Sequence, residues 1–303
     1  MGLETEAAIL VLGNVNVDLV LGEIDGWPAV GTEVVVDRSE MRAGGSAGNT
    51  SLALSGLNVP HRLMASTGND ANGAWLRGQF DADCCDWIID DCSTTLTVGI
   101  VHKGGDRVFF TTPGHLQSAR LDDLLARLPQ APHAGAIAIV AGGFLMPDIQ
   151  AGKARLLAGL HGKGWRTAID PGWPPQGWTD ETVQLMRGWL DLADIALINA
   201  EEVKGYAQNS SLEEACRLMT ARLRPDQILV VKDGAEGVRA FSDGETFRAV
   251  SPPVTVIDTV GAGDTFNAAF MAALSGKDDL VAALDHGVTT ASRAISTFPR
   301  RYE

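Results

Sequence analysis

The chain has 303 residues, 45% of them apolar, enough to bury a large core in one domain carrying an appendage. Its formal net charge of -14 and pI near 4.8 exclude a general nucleic-acid or anionic-membrane surface, which needs a basic field. An anionic ligand must therefore be held by local donors.

Residues 1–6 carry no basic run ahead of the apolar stretch at 7–12, so no signal peptide is expected, and Glu6 departs from a myristoylation pattern. The longest nearly apolar stretch, 135–146, is too short to span a bilayer, and a cytoplasmic protein is expected. Cys84, Cys85, Cys92 and Cys216 show neither CxxC nor paired histidine spacing, which predicts buried free thiols and no metal cluster.

Residues 9–13 predict a short strand, beyond which Asn14, Asn16 and Asp18 alternate with Val15, Val17 and Leu19. Period two sets the three polar groups on one face, where amides and a carboxylate suit sugar hydroxyls; an exposed strand edge is the plainer explanation. The segment 27–41 leaves the helix-and-strand rhythm, and Val34, Val35 and Val36 predict a strand outside the main sheet. Ala43-Gly-Gly-Ser-Ala-Gly-Asn49 then runs into a helix through Leu57. Gly44 and Gly45 serve either close packing or a ligand against bare backbone, with Asn49 reaching it from the first turn. No Gly-Lys-Ser/Thr follows, which excludes a P-loop.

A strand is predicted at 61–66, a helix from about Ala74, and strands at 96–102 and 107–112 around a hairpin turn at 103–106. With 27–41 these form a small β lid. Helices at 119–128, 149–161, 180–190 and 213–223 then alternate with strands at 136–141, 165–170, 195–199 and 228–232, the rhythm of an α/β parallel sheet covered on both faces. Ligands of such sheets gather beyond the carboxyl ends of the strands, where Asp170 and Asn199 stand. A turn at 233–237, a hairpin over 238–241 and 246–250, and a final helix at 279–296 complete the pattern.

Asp258-Thr-Val-Gly-Ala-Gly-Asp-Thr-Phe266 is the most informative stretch. A β-prone run ending at Ile257 is expected to give way to Gly261-Ala262-Gly263 and a helix over 265–274, converging backbone N–H groups and a helix dipole on an anion such as phosphate. A carboxylate beside phosphate is costly unless Asp264 has a task, such as accepting the proton of an attacking hydroxyl. Asp also commonly caps helices, and taken alone that plainer role comes first.

With these features placed, the chain resembles, almost end to end, the ribokinase-like (PfkB) carbohydrate kinase family. Ala43-Gly-Gly-Ser-Ala-Gly-Asn-Thr-Ser51 is similar to the family's first signature and the Asp258 to Phe266 stretch to its second; Gly68-Asn-Asp-Ala-Asn-Gly73 and Asn199-Ala-Glu-Glu202 resemble two further motifs. The resemblance implies a ribokinase-like three-layer sandwich with a mostly parallel central sheet, a single domain over 1–303 with lid segments at about 19–42 and 95–113. It implies ATP-dependent transfer to a hydroxyl, with Asp264 as base and the backbone of Gly261, Ala262 and Gly263 as anion hole. Asn16, Asp18, Gly44, Gly45 and Asn49 match substrate-holding positions. Asn199 and Glu202 match the motif that organises phosphate and Mg2+, Glu202 through water. Gly234 and Gly237 match the nucleotide loop, and His286 a position near adenine. Asp258 and the Val260 carbonyl stand where some members bind a monovalent cation, K+ among them. Unpaired edges of exposed lid strands are a liability that pairing between subunits relieves, so a homodimer through the lid is expected.

Two departures bear on the acceptor. Gly142-Gly-Phe144 replaces a polar residue of several sugar kinases, and Asp170-Pro-Gly-Trp-Pro174 lacks the arginine of ketoacid-sugar kinases, which disfavours a sugar acid. A neutral monosaccharide or derivative is the leading acceptor. The alternative is a nucleoside, adenosine or inosine in type, with Trp27, Phe109, Phe110 and Phe144 available to sandwich its base. A non-catalytic sugar or nucleotide sensor is disfavoured by the intact Asp264, glycine turn, Asn199 and Glu202.

Overall fold

Short apolar runs bounded by Gly, Asn or Asp make the central strands, and their burial on both sides calls for helices on two faces. The computed structural model describes residues 7–103, 107–276, 278–298 and 300–302. In chain order its strands are β1 (Ile9–Gly13), β2 (Asn16–Ile24), β3 (Arg38–Gly44), β4 (His61–Gly68), β5 (Cys85–Asp90), β6 (Leu96–His102), β7 (Arg107–Thr111), β8 (Ile137–Ala141), β9 (Arg166–Asp170), β10 (Ile195–Asn199), β11 (Ile228–Lys232), β12 (Val238–Ser242) and β13 (Glu245–Ala249). The helices are α1 (Ser46–Gly56), α2 (Ala71–Arg77), α3 (His115–Ser118), α4 (Leu121–Arg127), α5 (Pro147–Gly162), α6 (Asp180–Leu190), α7 (Ala200–Tyr206), α8 (Leu212–Thr220), α9 (Ala262–Ser275) and α10 (Leu280–Ile295).

Nine strands form one sheet in the order β13-β12-β11-β10-β9-β8-β1-β4-β5, paired in parallel except at one edge, where β12 pairs antiparallel with both β11 and β13. Period two divides β1 between two cores: Leu10 and Leu12 pack with Leu156, Trp189 and Met219, while Ile9 and Val11 pack with Leu54, Phe270 and Leu284. Each such side chain contributes roughly 1.5–3 kcal/mol on burial. The sheet is thus a rigid floor whose strand ends carry the site.

The chain leaves this sheet after β1 and enters a second one, ordered β3-β2-β6-β7. There β2 pairs antiparallel with β3 and parallel with β6. The predicted turn residues 104–106 lie outside the described residues, as do 1–6, but the strands beside that turn pair as a hairpin.

Several expectations are corrected. Asn14 does not share a strand with Asn16 and Asp18, because the passage between the two sheets breaks the run at 14–15. Val34 to Val36 form no strand; they lie before the first residue with a partner, Arg38 opposite Gly22, and Val35 is largely exposed. The run before Asp258 is not a strand either, because Pro252 and Pro253 have no N–H to give a ladder. The helix expected at 119–128 is α4 over Leu121–Arg127, with Asp148 accepting the Leu121 N–H at 2.8 Å at its start, and a separate short helix, α3, precedes it unforeseen. Among the cysteines only Cys216 is buried, though all four are free thiols. Among the described residues no helix is long and apolar enough to cross a membrane.

Candidate active site

The carboxyl ends of β9, β10 and β11 and the start of α9 enclose a cleft of about 790 Å³. Its shape begins with Gly261, the residue before α9, at φ 73°, a left-handed conformation that a residue with a Cβ adopts only with strain. No side chain caps this 14-residue helix, so its first amides are left for the cleft. The Ala262 N–H is partly committed, reaching the Thr259 carbonyl at 3.2 Å.

Asp264 lies in the first turn of α9 and lines the cleft. Burial, together with the negative Asp170, pushes its carboxyl up to about 7 against the opposing influence of Asn49, Lys232 and Arg300. Asn49 Nδ2 donates to Asp264 Oδ2 at 2.9 Å. The plainer capping role is not what its side chain does.

Behind Asp264 is a buried network. Lys232 Nζ, at the end of β11, donates to Asp170 Oδ2 at 2.7 Å and to Asn267 Oδ1 at 3.1 Å, and Asn267 Nδ2 donates to the same Asp170 oxygen at 2.6 Å. Burial alone would lower the Lys232 pKa, but the carboxylates of Asp170 and Glu202 more than offset it and keep the ammonium charged. Asn199 and Glu202 form a reciprocal cap on α7, with Glu202 N–H to Asn199 Oδ1 at 2.8 Å and Asn199 N–H to Glu202 Oε2 at 3.0 Å. Glu202 is pushed up to about 7 by burial and by Asp170. Both residues line the cleft, as do Gly234, Gly237 and an apolar wall of Val254, Val256, Ala291 and Ile295.

The substrate-side residues predicted from sequence form a second group, on the small sheet. Asn16 Nδ2 donates to Asp18 Oδ1 at 2.6 Å and to Thr97 Oγ1 at 3.1 Å. Burial raises Asp18 to about 6, with Arg42 and Asn16 opposing. Gly44 faces Asp18 so closely that a Cβ there would lie 2.0 Å from Asp18 Oδ2. Gly45 precedes α1, the helix that carries Asn49 to Asp264. Asn16, Asp18, Gly44 and Gly45 are outside the lining of the larger cleft, and Ser46 stands at the junction.

Asp258 accepts Arg42 Nη1 at 2.7 Å and the Val260 N–H at 2.9 Å, while Arg300 Nη2 donates to the Val260 carbonyl at 2.6 Å. His286 is exposed on α10 and outside the lining; the α10 residues that face the cleft are Val288, Ala291, Ser292 and Ile295. Phe144 is buried 5.3 Å from Trp189, centroid to centroid, and is unavailable to stack on a base. Sequence reasoning missed Lys232, Asn267 and Arg300. For Lys232 the signal was its place at the carboxyl end of a parallel strand.

Among known proteins, the ATP-dependent ribose-1-phosphate kinase of Halopiger xanaduensis is 26% identical over 94% of this chain and 92% of its own. The fructokinase of Salmonella typhimurium is 26% identical over 89% and 85% respectively. Arabidopsis thaliana ribokinase, solved with ribose and ATP, shares the fold at a TM-score of 0.75 and 20% identity, covering 95% of this chain and 92% of that one. Residues 6–298 match the family model described as pfkB family carbohydrate kinase, so the chain belongs to that family and is a phosphotransferase acting on a sugar hydroxyl.

Proposed function

We propose that this kinase transfers the γ-phosphoryl group of ATP to a hydroxyl of a neutral monosaccharide or a simple derivative, with Asp264 as general base. The observation that carries the reading is Asp264 itself, open to the cleft, oriented by Asn49 and with a pKa of about 7. A base titrating near working pH balances ionised fraction against proton affinity. The relatives named above support a sugar acceptor.

The acceptor lies over the small sheet, with Asp18 and Asn16 receiving and donating hydrogen bonds to its hydroxyls and the glycine edge of Gly44 and Gly45 beneath it. One hydroxyl approaches Asp264, which takes its proton as the oxygen attacks the γ-phosphorus. The backbone N–H groups from Gly261 to Gly263 receive the charge spreading over the phosphoryl oxygens. On the far side the nucleotide lies along Gly234 and Gly237, its base against Val254, Val256, Ala291 and Ile295.

Asp170, Glu202 and Asp264 face one ammonium, Lys232, and this surplus of carboxylates fits Mg2+ held mainly by phosphate and water, with Glu202 reaching it through water. When bound, the ion would supply positive charge to the phosphate groups. Movement of the small sheet over the acceptor excludes water from the phosphoryl group. The exposed Phe109, Phe110 and Met41 on that sheet also support a homodimer through it, which light scattering checks.

The decisive experiment is a coupled ADP-release assay with Mg·ATP over pentoses, hexoses, sugar phosphates, sugar acids and nucleosides, with Asp264→Asn alongside. Turnover of one neutral sugar that is lost in the variant supports the reading. Turnover confined to nucleosides or sugar acids, or a fully active variant, overturns it.

A further inference from the structure

The two groups that the family resemblance assigns to a monovalent cation, the Asp258 carboxylate and the Val260 carbonyl, are engaged by arginines in this fold. Arg42 Nη1 is 2.7 Å from Asp258 Oδ2. Arg300 Nη2 donates to the Val260 carbonyl at 2.6 Å and stands 3.9 Å from the same Asp258 oxygen. Two guanidinium groups thus stand against the one Asp258 carboxylate, within 2.7 and 3.9 Å of the same oxygen. An added K+ would have to displace a guanidinium and then sit beside two fixed positive charges. The residues present do not fit the ion.

We propose that Arg300, assisted by Arg42, takes the place of that cation, fixing the turn that opens α9 so that turnover needs no K+. Arg300 comes from the far end of the chain, beyond α10, and its reach to Val260 ties that tail to the glycine turn. Its Nη1 would lie 3.1 Å from a Cβ at Gly261, so the guanidinium packs directly against the turn. A guanidinium has the right properties: it keeps its charge at every working pH, and its planar fork can serve a carbonyl and a carboxylate together. Unlike an exchangeable ion, it is present at a fixed one-to-one ratio. Arg300 touches neither reacting atoms nor nucleotide in this account; it is a positioning residue for the amides that do.

The proposal uses the kinase activity for one readout and binding for another, so that the two can fail separately. Wild-type protein in tetramethylammonium buffer with Mg2+ is titrated with KCl against tetramethylammonium chloride at constant ionic strength. Its kcat and Tm are expected to follow ionic strength alone, with no response specific to K+. Arg300→Ala is expected to lose kcat on the order of tenfold or more through a misplaced turn. In that variant K+ or guanidinium chloride should restore part of the rate, and K+ should raise Tm. Arg300→Lys should stay insensitive to K+. A saturable K+ activation or K+-specific rise in Tm of the wild type overturns the proposal. So does an Arg300→Ala protein with near-normal kcat. If Arg300→Ala does not fold, Arg300→Gln takes its place. If no acceptor is turned over, the Tm titration still decides between arginine and ion.

Discussion

Asn49 and Asp264, 215 residues apart in sequence, are joined by a 2.9 Å hydrogen bond from the amide to the carboxylate. The bond links α1, which opens on the glycine edge beside Asp18, to α9, which opens on the Gly261 turn. In the proposed reaction this bond would give acceptor and phosphoryl group a common geometric reference, so that a shift of either helix would be felt by Asp264.

The first prediction follows from the Asp264 pKa near 7, set by burial and Asp170 against Asn49, Lys232 and Arg300, with Glu202 nearby. In the wild type, kcat/KM should fall as pH drops below about 7, because a protonated carboxyl cannot accept the hydroxyl proton. Asp264→Asn should lower kcat by roughly 10² to 10⁴ while ATP still binds. A pH-rate profile flat from acid to neutral, measured by ADP release, would remove Asp264 from this role.

The same shift has a cost in stability. Since the folded-state pKa lies above the ordinary aspartate value, the folded protein binds this proton more tightly than the unfolded chain. Stability from this group is intact below about pH 4 and declines as pH rises towards 7. Asp264→Asn removes the penalty, so its Tm should exceed the wild-type Tm by roughly 2 °C or more near pH 7.5, with the difference shrinking towards pH 4. Differential scanning calorimetry at both pH values reads this directly, and a lower Tm for the variant at pH 7.5 contradicts it.

Gly44→Ala tests the acceptor side. The new methyl would overlap Asp18 and displace its carboxylate, while leaving the nucleotide wall untouched. KM for the sugar should rise by about tenfold to a hundredfold, with ATP affinity by calorimetry unchanged. Equal losses on both ligands would mean a general distortion.

Lys153, on α5, is wholly buried, with Nζ 2.7 Å from the Gly142 carbonyl and 3.9 Å from the Trp189 ring centroid. Burial lowers its pKa to about 7, with Asp170 opposing. Between about pH 7 and 10.5 the unfolded chain binds more protons, so this residue destabilises fully below pH 7 and progressively less above it. The Tm of Lys153→Met minus that of the wild type should therefore be more positive at pH 6.5 than at pH 9.5. Loss of the Gly142 bond offsets both values and leaves the trend. A difference independent of pH would show that the ammonium costs nothing on burial.

The regular half of the fold was legible because apolar runs of strand length alternate with amphipathic helices; Asp180–Leu190, Ile195–Asn199 and Ile228–Lys232 lie where the pattern puts them. Val34 to Val36 and the run before Asp258 misled because β-propensity reports fit to a partner strand, which neither segment has. The edge strand β5 was missed, since Asp86 and Asp90 interrupt its apolar residues. Asp264 and Asn49 were readable from their glycine-rich surroundings. The Lys232, Asp170 and Asn267 network was not, because its members come from three elements brought together only by the crossovers of the sheet. Arg300 carried no local signal at all, since its role depends on where the tail returns.

The strand order has a consequence for how the molecule is made. β1 belongs between β4 and β8, and Ile9 cannot meet Ile137 until the residues that separate them have been synthesised. At ordinary elongation rates that delay is on the order of 10 s, during which Ile9, Leu10, Val11 and Leu12 have β4 as a partner on one side and an open apolar edge on the other. Such long-range parallel pairing slows closure of the sheet and exposes the nascent chain to aggregation. Pulse-labelled hydrogen exchange on stalled chains should show Ile9–Gly13 reaching full protection only once β8 has emerged beside it.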